Sequence, residues 1–336
     1  MKTKSILFTE KNKAELIEEN IPEIGADDVL VKLAVSTVSS GTERANLTGE
    51  YNVTTKKGVT LPFPRRCGYS SSGIVKKVGE NVTTLAPGDR VALTRSYHSQ
   101  YVAEDAKNII KINDGISFEE AALWYIGTFP MAAVRKCHLE IGESAVVMGM
   151  GVLGMIAVML LKNAGAVPVI AVDPVEEKRK KALEIGADYA LDPFDDDFAN
   201  RVIELTGGGA NVAIEVTGNG KALDQVLDCM ARYGRVALLG CTRNSDFTID
   251  YYKKVHAPAI SLIGAHTDAR PSVESSPGLW TTRDDVNALQ KLVLHNRLKL
   301  SSLVEETHSP NDTKTVYDRL ATEKSFPVVQ FDWRKL

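Results

Sequence analysis

Cysteine is scarce in this chain of 336 residues: Cys67, Cys137, Cys229 and Cys241 are widely scattered, with no C-x-x-C pair. That pattern excludes a disulfide scaffold and reads as free thiols in a reducing compartment. Apolar residues never run on for the roughly twenty positions a membrane span requires, and the first twenty residues lack the apolar core of a secretion signal. Neither sign of charge dominates, with 40 Lys and Arg against 43 Asp and Glu and a net charge of -3. Nothing therefore marks nucleic acid or an anionic membrane as a partner. No repeat, low-complexity tract or flexible linker interrupts the chain. What remains is an ordinary globular composition, 44% hydrophobic and 25% charged, with the length for two full cores and an expected cytoplasmic location.

The strongest local pattern lies between Ser144 and Asp173. An apolar strand, Ala145 to Met148, runs into Gly149-Met-Gly-Val-Leu-Gly154 and then into a helix. Gly149 allows the tight turn, Gly151 lets the backbone approach a pyrophosphate, and Gly154 lets the helix lie close to the strand. The backbone through Val152 and Leu153 opens the helix N-terminus, whose unpaired N–H groups face an anion. Asp173 ends the second strand about twenty residues on, where a carboxylate accepts both ribose hydroxyls of an adenosine. This arrangement predicts NAD as cofactor in preference to NADP. Lys178 falls shortly after and is counted with the binding residues.

Strands and helices alternate onward from there. Expected strands are Ala145 to Met148, Val167 to Val172, Tyr189 to Leu191, Val212 to Val216, Val236 to Leu239 and Ser261 to Gly264, with helices such as Val175 to Ile185 and Lys221 to Arg232 between them. Apolar strands separated by helices imply a doubly wound parallel sheet of six strands, the α/β Rossmann arrangement. Thr217, Gly218 and Gly240 follow the fourth and fifth strands, at the carboxyl edge where a dinucleotide lies. The N-terminal part alternates β-branched runs, such as Val29 to Val35, with turn signals at Gly79-Glu-Asn81 and Pro87-Gly-Asp89, and predicts an antiparallel β domain. A helix near Arg283 to Leu294, another over Thr313 to Thr322 and a strand Pro327 to Phe331 close the chain. The expected division is residues 1–120 with 268–336 in the β domain and residues 121–267 in the nucleotide domain, with a cleft between them.

The order of elements, together with Val35 to Gly49, Gly68 to Val91, Ala121 to Val134 and the nucleotide segment, resembles the medium-chain dehydrogenase/reductase superfamily over essentially the whole chain. The resemblance implies a GroES-like catalytic β domain, a Rossmann domain, pairing into a homodimer or homotetramer near Ser261 to Ala265, and a small-molecule substrate. It frequently implies a catalytic zinc, yet the ligand phrases differ. Zinc-dependent relatives have Cys before Gly-Thr-Asp, and this chain has Ser40-Gly41-Thr42-Glu43. They have Gly-His-Glu where this chain has Gly68-Tyr69-Ser70, and a third ligand position falls near Tyr125. Hydroxyls are poor zinc ligands. The four-cysteine lobe of a structural zinc is missing as well. Similar replacements occur in a subgroup resembling bacteriochlorophyllide dehydrogenase-like proteins. The expectation is no metal at the catalytic position; a rearranged set of Cys67, Glu43, His98 and His266 stays open as the alternative.

Without zinc, another group must hold the substrate oxygen and move its proton. Tyr69 and His98 are the candidates for proton transfer, with Ser40 and Thr42 as a hydroxyl relay and Glu43 as catalyst or as a supporting ion-pair partner. Tyr125, His266 and Arg270 are candidates for substrate binding, and Lys56, Lys57, Arg65 and Arg66 form a basic cluster in the preceding loop. A packed Tyr69 and a turn-binding His98 stay open as structural readings. The leading function is NAD-dependent, zinc-independent interconversion of a secondary alcohol and a ketone on a sugar, polyol or glycoside. Reduction of an activated double bond, as in zinc-less quinone or enoyl reductases, and a catalytically inactive NAD-binding protein are the alternatives.

Overall fold

The structure is a computed structural model that describes residues 2–50, 62–243 and 245–336. Lys56 and Lys57 of the basic cluster lie outside the described residues. Two compact units emerge, one of Met1–Ile126 with Val286–Leu336 and one of Gly127–Asp285. No helix among the described residues is long and apolar enough to cross a membrane.

In the first unit the strand Asp28–Thr37 is the hub. It pairs antiparallel with Ser71–Val78, Tyr101–Asp105 and Val329–Asp332. Val29, Val31 and Leu33 alternate inward with period two, and the strand becomes buried on both faces toward Thr37. The seven-stranded sheet continues through Arg90–Leu93 and Ile109–Lys111. A smaller sheet joins Lys13–Asn20, Lys2–Glu10 and Arg65–Arg66. One pair departs from the antiparallel expectation: Glu306–His308 runs parallel to Val329–Asp332. The intervening helix Thr313–Thr322 supplies the crossover that a parallel pair requires. Ile6, Phe8, Val31, Leu33, Tyr317, Phe331 and Trp333 meet in one core, so both ends of the chain build this unit.

The second unit holds six parallel strands in the order Tyr189–Leu191, Val169–Val172, Ala145–Met148, Ala210–Glu215, Met230–Leu238, Ser261–Gly264. This is the order 3-2-1-4-5-6 of a dinucleotide-binding sheet. The two strands flanking the glycine turn are buried at every residue, as a sheet covered on both faces demands. The helix expected over Lys221 to Arg232 stops at Asp228, because Met230 already pairs with Ala210.

Residues 268–285 group with the second unit, eighteen residues past the expected boundary. Buried charge holds them there. Asp285 is 0% exposed and accepts Arg135 Nε at 2.8 Å and an Arg270 guanidinium nitrogen at 3.2 Å. Arg135 also stacks over the Trp280 ring at 3.6 Å.

Candidate functional site

The nucleotide turn is built as its sequence spacing requires. Gly149 has φ +99, and a Cβ there would meet Thr217. A Cβ on Gly154 would lie 1.8 Å from the Gly149 carbonyl oxygen, whereas one on Gly151 would meet nothing within 4 Å. Gly154 is thus a packing glycine, and Gly151, capping the helix Val152–Ala164, leaves open space in front of that N-terminus. Val152 and Leu153 are half-buried in its first turn. Asp173 is 6% exposed; its carboxylate accepts the Met150 N–H at 2.8 Å and the Val175 N–H at 2.9 Å. One oxygen each is used once, so the carboxylate clamps the glycine turn and keeps lone pairs for a ribose. Lys178 lies half-buried on the helix Glu176–Glu184.

Glu215, which the sequence reading passed over, ends the fourth strand of this sheet almost fully enclosed. Its carboxylate accepts the N–H groups of Thr217 and Gly218 at 2.7 and 3.1 Å and the Thr217 hydroxyl. Burial raises its pKa, against the hydrogen bonds from Thr217 and Gly218. The turn it holds packs on Gly240, where a Cβ would lie 2.2 Å from the Gly218 nitrogen.

In the first unit, Tyr69 is half-buried and donates its hydroxyl hydrogen bond to Ser39 Oγ, with a further bond to Thr42. Its ring meets Tyr125 edge-on at 5.6 Å. Burial pushes the Tyr69 phenol well above its usual range, the bonds to Ser39 and Thr42 opposing. Ser39 precedes the helix Ser40–Thr48, on which Ser40 is half-buried and Thr42 exposed. The structure thereby gathers Tyr69, Ser39, Thr42 and Tyr125.

A second cluster lies directly behind the first. Glu43 accepts the Ser39 N–H at 2.7 Å through one oxygen and the Tyr317 hydroxyl at 2.6 Å through the other. His98 is 0% exposed. Its Nε2 faces the two Glu43 oxygens at 3.3 and 3.2 Å, and its Nδ1 lies 2.7 Å from Ser36 Oγ. Cys67 Sγ sits 3.5 Å from the Tyr317 hydroxyl; burial, and then the Glu43 charge, push the thiol well above its usual range, with the Tyr317 bond and the Arg65 and Arg66 charges opposing. His98 is therefore enclosed with Glu43 rather than set beside Tyr69. Tyr317, Ser36 and Trp333 are participants the sequence reading missed. The burial of Thr313, Val316, Tyr317 and Leu320 along one helix follows the 3.6-residue period and was legible; the partner of the Tyr317 hydroxyl was not.

Two candidates lie elsewhere. His266 is exposed, facing Asp268 at 3.9 Å, and does not join the cluster of Cys67, Glu43 and His98. Arg270, expected to bind substrate, is instead a buried structural residue. Its side chain is 7% exposed, and its donors reach the Thr267 and Thr128 carbonyls and Asp285. Arg66 is taken by Glu19 in a bidentate pair at 2.8 and 2.6 Å.

The hydroxyls at the Ser40, Tyr69 and Tyr125 positions do not fit a zinc ion, being weak ligands beside thiolate, imidazole and carboxylate. The donor set that does fit zinc chemistry is Glu43, Cys67 and His98, whose ligand atoms lie within 4.8 Å of one another.

The six-stranded sheet, its glycine turn and the clamped acid define a nicotinamide-dependent oxidoreductase joined to a β unit that carries a hydroxyl-rich site. Comparison with known families agrees. Residues 25–139 match the alcohol dehydrogenase GroES-like domain, and residues 152–274 match the zinc-binding dehydrogenase model. The second match lies outside Ser40, Tyr69 and Tyr125, so its description carries no information on metal at those positions. The chain is 27% identical over 349 residues to L-threonine 3-dehydrogenase of Thermococcus kodakarensis, covering 95% of this chain and 94% of that protein. It is 25% identical over 321 residues to D-guloside 3-dehydrogenase of Escherichia coli, covering 90% and 91%. Among solved structures, benzyl alcohol dehydrogenase from Acinetobacter calcoaceticus superposes with a TM-score of 0.86 at 20% identity over 99% of each chain. The chain belongs to the medium-chain dehydrogenase/reductase superfamily, among its alcohol and polyol dehydrogenase-like members.

Proposed function

We propose that this protein interconverts a secondary alcohol and a ketone on a sugar, polyol or glycoside, using NAD and no metal at the substrate oxygen. The observation that carries the reading is the hydroxyl group of Tyr69, held by Ser39 and Thr42 at the place where zinc-dependent relatives have a metal ligand. When bound, the nicotinamide gives or takes the hydride. In the reducing direction the Tyr69 hydroxyl turns its proton from Ser39 Oγ to the developing alkoxide, its oxygen takes a proton from the exposed Thr42 hydroxyl, and Thr42 recovers one from solvent. Oxidation runs the same transfers backwards. His98 has no part in this step, being enclosed with Glu43.

Asp173 supports NAD, since a carboxylate already clamped beside the turn repels a 2′-phosphate. The substrate class rests on the hydroxyls around Tyr69, which suit a polyhydroxylated molecule better than an apolar one, and on the likeness to a D-guloside 3-dehydrogenase and an L-threonine 3-dehydrogenase. Pairing of subunits through the outer strand Ser261–Gly264 is part of the same reading. The test is a screen for NADH formation over glycosides, polyols, L-threonine and simple aliphatic alcohols, run beside enones and quinones with NADPH. Turnover on a polyhydroxylated secondary alcohol is expected. Turnover confined to enones or quinones would favour double-bond reduction, and NADH binding without turnover would favour an inactive protein.

A further inference from the structure

We infer that Glu43, Cys67 and His98 form a buried site for a divalent metal ion of zinc type, displaced from the Ser40 and Tyr69 positions and set behind the proton-transfer hydroxyls. A carboxylate oxygen, a sulfur and an imidazole nitrogen lie within 4.8 Å of one another, the one such group of three among the described residues. These residues are 1%, 4% and 0% exposed. Nitrogen, sulfur and carboxylate oxygen are the ligands zinc takes, and the chain supplies three of the four positions of a tetrahedral site.

The spacing is the first argument. A charge-assisted hydrogen bond to a carboxylate closes to about 2.7–2.9 Å, yet His98 Nε2 stands 3.2 and 3.3 Å from the Glu43 oxygens. Two ligand atoms each about 2.0–2.1 Å from a tetrahedral zinc stand about 3.3–3.4 Å apart. The pair stands at the spacing that two ligands of one zinc would have.

The surroundings are the second argument. Ser36 Oγ takes the Trp333 Nε1–H at 2.8 Å and lies 2.7 Å from His98 Nδ1. An Nδ1–H donated to the same oxygen leaves a lone pair on Nε2, the arrangement a metal-bound histidine uses. The Tyr317 hydroxyl and the Ser39 N–H fix the two Glu43 oxygens, as supporting groups fix a ligating carboxylate. Charge balances too. Binding displaces one proton from the Cys67 thiol to solvent, and a thiolate, a carboxylate and a neutral imidazole then neutralise the dication, which a buried site requires. Each ligand comes from a different stretch of chain, and Gly68 follows Cys67 with φ +87 and no room for a Cβ beside the His98 ring at 2.8 Å. The ion would thus tie together the segments that carry Ser39 and Tyr69.

The competing arrangement is metal-free: Ser36 donates to Nδ1, Nε2–H donates to Glu43, and the thiol faces Tyr317. Metal content separates the two without reference to substrate or turnover. The full-length protein and its Cys241→Ser variant, which removes the exposed thiol, are incubated with zinc, desalted and analysed for metal; the same proteins are loaded with cobalt(II) and their absorption recorded. The proposal expects about one zinc per chain in both, a thiolate-to-cobalt charge-transfer band lost in Cys67→Ala, and a melting temperature that falls on chelation. Fewer than about 0.1 zinc per chain with no such band overturns it, as does a band that persists in Cys67→Ala. If Cys67→Ala does not fold, the wild-type stoichiometry and spectrum decide alone.

Discussion

Two glycines three positions apart show how far a single residue's role depends on what surrounds it. Gly154 faces a backbone oxygen that cannot move aside, so a methyl group there must displace the helix or the turn. Gly154→Ala is expected to destabilise the protein by about 1–3 kcal/mol or more, read by thermal or denaturant unfolding. Gly151 faces open space, so Gly151→Ala should unfold near the wild type yet bind NADH about tenfold or more weakly, because the added methyl occupies the pyrophosphate's approach. Equal NADH affinity in Gly151→Ala would remove the ligand from that turn. The sequence pattern carried these roles because each follows from local geometry. It carried Tyr69 by its position, but the bonds of its hydroxyl to Ser39 and Thr42 depend on where the helix Ser40–Thr48 begins. His98 misled for the same reason. A histidine in a loop looks available, and only the packing of Phe331 edge-on at 5.5 Å and of Glu43 shows that it is enclosed.

At the scale of elements, the C-terminal crossover is pinned by charge. Arg319 reaches both oxygens of Glu306 at 2.7 and 2.9 Å, joining the helix Thr313–Thr322 to the strand Glu306–His308. The Arg319 guanidinium, with His308 assisting, lowers the Glu306 pKa from its ordinary 4.5 to about 2. A carboxyl depressed in the folded state contributes stability that is complete above its unfolded value and disappears as pH falls through the folded one. Glu306 should therefore stabilise the protein above pH 4.5 and lose that contribution between pH 4.5 and about 2. Acid unfolding of Glu306→Gln followed by circular dichroism checks this: the wild type and variant should differ above that window and converge below it, and parallel curves throughout would deny the pair any role. Five of the six strands of the nucleotide unit were legible to within two residues as short runs between helices, whereas the fifth begins at Met230, six residues before the expected Val236. The parallel pairing of Glu306–His308 with Val329–Asp332 was not, because strands of three and four residues carry too little pattern to set a direction. The placement of residues 268–285 escaped too, depending on Arg135 and Arg270 converging on one buried Asp285.

For the whole molecule, the sequence reading reached the class of protein because the dinucleotide signal is continuous in the chain. The site in the β unit draws on residues as distant as Ser36, Cys67, His98 and Tyr317, and its composition appeared only with the fold. Cofactor choice can be read on the intact protein through linkage. NADH at a hundredfold excess over its Kd should stabilise by about 2.7 kcal/mol, and NADPH at the same concentration should raise the melting temperature less, because Asp173 opposes the extra phosphate. Equal shifts would contradict the assignment of Asp173. The central claim is that a phenol, and no metal, meets the substrate oxygen. The most direct measurement is kcat/KM for Tyr69→Phe beside the wild type, with NADH affinity measured in parallel. The account predicts a loss of about 10²-fold or more with NADH affinity unchanged. A variant that turns over as fast as the wild type would contradict it.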